Sequence, residues 1–113
     1  MQNPSTLQLI YHLQRALHGL SQKETFSDAE ALRDLAATLT RTHQWQEAAN
    51  VASSIKNVVA HMYALGELTI ALDKAKQHSL AQDIWQKIER VASQEGNWGN
   101  FLLQYLANKR KAG

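Results

Sequence analysis

The feature that most restricts how this 113-residue chain can fold is an internal repeat. Slid along itself by 33 residues, the sequence aligns 31–57 with 64–90 without a gap, and seven of the 27 positions are identical. They are Ala31/Ala64, Leu32/Leu65, Leu35/Leu68, Leu39/Leu72, Gln44/Gln77, Ala48/Ala81 and Ile55/Ile88, with Asp34/Glu67, Arg41/Lys74 and Val51/Ile84 conservative. Most of the apolar members recur at three- and four-residue intervals, which puts them on one face of a helix. A unit of this length holds two short helices, is too small to bury its own apolar face, and folds by stacking against a neighbour. The offset continues into the C-terminal segment, where Leu65, Gly66, Leu68, Ile70 and Leu72 match Trp98, Gly99, Phe101, Leu103 and Tyr105. A third unit is therefore expected to begin there and to stop after its first helix.

The rest of the chain agrees with helix throughout. Its one proline, Pro4, stands where a helix can begin without losing a needed N–H, and the β-branched residues are scattered among good helix formers. Capping boxes, in which a Ser side chain and a Glu or Gln three residues on exchange hydrogen bonds with the backbone, are read at Ser5/Gln8, Ser27/Glu30 and Ser79/Gln82. Asn57 and Asn97 stand where two further helices need an N-cap. The expectation is an all-α chain of about six helices at 5–19, 28–41, 44–55, 58–76, 79–94 and 97–109, with 19–26 the one real loop. In the last of these, Trp98, Phe101, Leu102, Tyr105 and Leu106 follow the spacing of a single buried face.

These residues resemble the tetratricopeptide repeat. That pattern runs large apolar, Leu, small, large apolar in a first helix, then Ala, large, Ala in a second, over about 34 residues. Leu32, Leu35, Ala36, Leu39, Ala48, Ala52 and Ile55 occupy those spacings in one unit, and Leu65, Leu68, Thr69, Leu72, Ala81, Trp85 and Ile88 in the next. Trp98, Phe101, Leu102 and Tyr105 open the third, and the turn from Gln44 through Trp45, Gln46 and Glu47 to Ala48 is similar to the family's turn. Thr69 stands where the family has a smaller residue, and Ala60 and Ser93 where it has a closing Pro. The resemblance implies a single domain, a short right-handed α-solenoid: an N-terminal capping helix and loop at 5–26, repeats at 28–57 and 58–93, and a half-repeat at 97–109.

Composition and motif searches bear on what such a fold does. With 44% hydrophobic and 19% charged residues the composition is that of an ordinary soluble globular domain, and no apolar run approaches the roughly 20 residues of a membrane span. The absence of cysteine excludes disulfides, a thiolate nucleophile and Cys-based zinc sites, and suits the cytoplasm. Lys109, Arg110 and Lys111 supply three of twelve basic residues; without them nine basic residues face ten acidic ones, so the net charge of +2 comes from what reads as a solvated tail. Nucleic acid and membrane partners are accordingly disfavoured. Gly19, Gly66, Gly96, Gly99 and Gly113 form no phosphate-binding spacing, and His12, His18, His43, His61 and His78 form no metal-ligand pair. Glu24, Asp28, Glu30 and Asp34 cluster at a helix start, where they serve the cap and the helix dipole. A non-catalytic chain without cofactor or metal is expected.

In a tetratricopeptide-like arrangement the first helices line a groove, and the residues that would face it are Arg33, Ala37, Arg41, Tyr63, Gly66, Ile70, Lys74, Asn100 and Leu103. Apolar width at Tyr63 and Ile70 beside positive charge at Arg41 and Lys74 suits a protein or peptide partner that carries an acidic group next to an apolar anchor. The Lys and Asn set by which some family members clamp a terminal carboxylate is not reproduced. Two alternatives stay open: a nucleic-acid-binding helical repeat, and a homo-oligomer that self-assembles through Leu103 and the outer face of the first helix, for example Leu9.

Overall fold

The computed structural model describes Ile10 and residues 24–113. The described residues are all-α, in five helices where the sequence predicts about six: α1 (Phe26–Arg41), α2 (Trp45–Ser54), α3 (Val58–Lys74), α4 (His78–Gln94) and α5 (Gly96–Ala112). The predicted first helix, its Ser5/Gln8 cap and Leu9 lie outside the described residues. Ile10, which falls within it, is helical and buried.

The repeat is written into the turns. At the end of α1, Thr42 N–H donates to Thr38 O (3.1 Å), His43 N–H to Thr40 O (3.1 Å) and Gln44 N–H to Leu39 O (2.9 Å). At the end of α3 the same three bonds run from Ala75 to Ala71 (3.0 Å), Lys76 to Asp73 (3.0 Å) and Gln77 to Leu72 (2.8 Å). Both are Schellman closures, which need a left-handed residue just past the helix, and His43 (φ 60°) and Lys76 (φ 61°) supply it without being glycine. This closure fixes where the next helix begins: Gln44 and Gln77 become the N-caps of α2 and α4, and neither makes a side-chain cap bond. The predicted Ser79/Gln82 box is thereby displaced into the first turn of α4. In α1 the box forms two residues early, with Thr25 Oγ1 accepting from Asp28 N–H (3.1 Å) and Asp28 Oδ2 from Thr25 N–H (3.0 Å), so Ser27 is already helical. Asn57 caps α3 as expected, its Oδ1 accepting from Ala60 N–H at 3.0 Å.

Between the hairpins the backbone turns through 55–57. Ile55 is buried there, and Glu24 accepts from Lys56 N–H (2.7 Å) and Asn57 N–H (2.8 Å) with its two carboxylate oxygens. His61 Nδ1 lies 2.8 Å from Ala52 O, and since a carbonyl only accepts, Nδ1 carries the proton. α3 is the centre of the fold and packs against each of the other four described helices. Its Met62, Leu65, Leu68 and Leu72 are buried with Leu32, Leu35 and Leu39 of α1, Val51 of α2, and Ile84 and Ile88 of α4. Thr40 and Thr69, the two buried polar residues among those described, satisfy their hydroxyls on the carbonyls of Ala36 and Leu65 one turn back.

α5 departs from the repeat. α4 runs 17 residues against ten for α2, and Glu95 alone joins it to α5, with Gly96 at φ 71°. Where α1 meets α3 the paired side chains Arg33 and Glu67 are 34 apart in sequence. Where α3 meets α5 the separations are 37 for Asp73 with Arg110, 40 for Gly66 with Leu106 and 42 for Tyr63 with Tyr105. With α4 seven residues longer than α2 and the link after it two residues shorter, α5 is carried about one to two turns out of the 33-residue register. Its N-cap is Glu95, without a side-chain bond, and Asn97 is inside the helix.

Candidate interaction surface

The face predicted to be a groove is partly assembled. Arg33 stands on the side of α1 that meets α3, with Ala37 and Arg41 at four-residue steps farther along α1, and Tyr63, Glu67, Ile70 and Lys74 follow one face of α3. Arg33 ties the two helices together: its Nη2 donates to Glu67 Oε1 at 3.1 Å and its guanidinium lies 4.8 Å from the centre of the Tyr63 ring. Arg41 and Lys74 are exposed, Arg41 donating to Thr38 Oγ1 at 3.1 Å.

Three predicted members do not line it. Gly66 is buried, and a Cβ there would come 2.8 Å from Leu106 Cδ2, so its role is to admit α5 against α3. Leu103 packs on the core. Asn100 is exposed but stands about 140° round the helix from Tyr105, on the far side of α5 from Tyr63.

In their place α5 brings residues that the sequence reading had put in the core. Trp98 is 44% exposed, Phe101 78% and Tyr105 43%, whereas Leu65, Leu68 and Leu72, their counterparts at the 33-residue offset, are at 1% or less. The reason is the corner before α5. Gly96 and the close approach of Gly99 to Ala92, where a Cβ would fall 2.5 Å from the carbonyl oxygen, turn α5 so that Gly99, Leu102 and Leu106 point inward and the aromatic stripe beside them does not. Tyr105 packs edge-on against Tyr63 with ring centres 5.9 Å apart, and Lys109 Nζ lies 5.7 Å from the Tyr105 ring. A continuous ladder, Arg33, Tyr63, Tyr105 and Lys109, thus crosses α1, α3 and α5 on one side of the molecule. The signal that could have exposed it was present: seven aromatic or aliphatic positions around one helix, at 98, 101, 102, 103, 105, 106 and 107, are more than one buried face can hold.

The basic run is not a loose tail. It is the last turn of α5, and Arg110 is built in: Nε donates to Asp73 Oδ2 at 2.6 Å, Nη2 to Oδ1 at 3.4 Å, and the guanidinium lies 5.1 Å from the Trp85 ring centre. The hydrogen bonds from Arg110 hold the Asp73 carboxyl below its ordinary pKa against the opposing effect of burial, and His78 Nδ1, 3.5 Å from Oδ1, acts in the same direction. Among the described residues no three His, Asp or Glu side chains gather where a metal could sit, and no helix is long and apolar enough to cross a membrane. No family model, curated protein or solved structure matches the chain.

Proposed function

We propose that this chain is a non-catalytic protein-interaction module, a short helical-hairpin solenoid that takes up a peptide or helix across α1, α3 and α5. The observation that carries the reading is the exposed aromatic stripe of Trp98, Phe101 and Tyr105, continuous with Tyr63. Small monomeric domains seldom leave several large rings side by side in water, because covering each contributes about 2 kcal/mol. Rings held by edge-on and cation contacts also lose little freedom on binding, which suits them to anchor a partner. Exposed Lys74, on the Tyr63 face of α3, and Lys109, beside Tyr105, favour an acidic partner with an apolar anchor. The two matching Schellman turns and the central place of α3 support the tetratricopeptide-like reading of the hairpins.

The test is affinity capture from a lysate of the source cell with three folded baits: the natural chain, Phe101→Glu, and the double variant Arg41→Glu with Lys74→Glu. A protein held by the natural chain and lost by both variants is the expected result. Equal retention by all three would move the interaction off this face and overturn the reading. Salt-sensitive retention of nucleic acid by the natural chain would favour the nucleic-acid alternative, since stacked rings beside lysines also suit single strands.

A further inference from the structure

We infer that the aromatic stripe of α5 is covered by a second copy of this chain, with the two α5 helices antiparallel about a two-fold axis between Phe101 and Leu102. This rests on the interaction reading and names the occupant of its α5 portion.

The stripe is nearly its own mirror along the helix. An axis between Phe101 and Leu102 sets Trp98 against Tyr105 of the other copy, and each Phe101 against the other copy's α5 near its own level. Because a two-fold contact repeats every pairing, one complementary pair becomes two. The ends carry opposite charge. Lys109 and Lys111 are exposed in the last turn of α5, while Glu95, half-buried at the other end, makes no ion pair among the described residues. The same axis sets Asn108, and beside it Lys109, at the Glu95 end of the second copy's α5. A parallel arrangement would instead set Lys109 against Lys109.

The area sets the strength. Three rings of about 200 Å² each, exposed by between two and four fifths, offer on the order of 350 Å² per copy. A stable dimer needs about 800 Å² from each partner. The rings supply less than half of that. The association is therefore a weak one, with a Kd on the order of tens of micromolar.

Sedimentation equilibrium of the full chain from about 5 to 500 µM tests this, with circular dichroism confirming that each variant is folded. The natural chain should pass from one to two copies over that range, and Phe101→Glu should raise the Kd at least tenfold. Lys109→Glu alone should weaken pairing about two- to fivefold, the size of two rim ion pairs, and the added change Glu95→Lys should restore it. A natural chain that stays monomeric throughout, a Phe101→Glu chain that pairs as well as the natural one, or a charge swap that fails to restore would each overturn the proposal. If the chain is monomeric while Phe101→Glu still loses its captured protein, the interaction reading stands and the second copy alone is excluded.

Discussion

The passage from α2 to α3 and the passage from α4 to α5 follow hairpins with the same closing turn, yet they deliver the next helix differently. The first spends three residues, buries Ile55, and is held by Glu24 and by the Asn57 cap. The helix after it buries Leu65, Leu68 and Leu72. The second spends one residue and a left-handed glycine, and the helix after it leaves Trp98, Phe101 and Tyr105 in water. The difference teaches that a repeated apolar pattern specifies which residues share a face, while the connection decides whether that face turns inward.

If that is right, paired substitutions at the 33-residue offset should have unequal costs. Leu68→Ala is expected to destabilise the chain by about 3 kcal/mol in urea unfolding, and Phe101→Ala to stay within about 0.5 kcal/mol. Equal losses would break the comparison. The glycines are the next test. Gly99→Ala drives a Cβ onto the Ala92 carbonyl, which is backbone and cannot yield, and should cost about 2 kcal/mol. Gly66→Ala meets the Leu106 side chain and no backbone, and its better helix propensity, worth about 1 kcal/mol, offsets part of the cost, so its loss should be smaller than that of Gly99→Ala.

A smaller effect is expected from the clasp that compensates for the tight corner. Arg110→Gln removes the contacts to Asp73 and Trp85 and should cost about 1 kcal/mol. Asp73 has a folded pKa below its ordinary 3.8, so as the pH falls the unfolded chain binds that proton first. Its contribution is complete above the ordinary carboxylate range and disappears as the pH drops through the lowered folded value. Asp73→Asn should therefore unfold more easily than the natural chain near neutrality and converge with it in acid. The two left-handed turn residues should shift stability in the opposite direction. Lys76→Gly should stabilise by about 1 kcal/mol by relieving the positive φ, and His43→Gly by less, because His43 also stacks on Trp45 with ring centres 4.8 Å apart. A thermal melt distinguishes the two.

Much of this fold could be read from periodicity, since the five described helices lie close to their predicted spans and Asn57 caps where it was expected to. Ser27, Ser79 and Asn97 misled because a cap depends on where the preceding chain turns, and Thr25, Gln77 and Glu95 were already in place. On the candidate site, Arg33, Tyr63, Ile70 and Lys74 were legible as neighbours, being three or four residues apart or joined by the repeat. Trp98, Phe101 and Tyr105 were not, because apolar spacing is the same for a helix rotated inward and for one rotated outward. Arg110 was hidden by its two lysine neighbours, which gave a half-buried clasp the look of a solvated end.

The Glu24 bonds should give the two hairpins different lifetimes. Those to Lys56 and Asn57 span 32 and 33 residues, so the first hairpin is a ring closed at both ends of α1 and α2. Among the described residues no side-chain hydrogen bond closes the second hairpin at Glu95, and the start of α5 at Gly96 lies at the end of that helix away from the Arg110 clasp. Amide hydrogen exchange should therefore see the start of α3 open together with the whole first hairpin, and the start of α5 open by itself, more often and for less free energy.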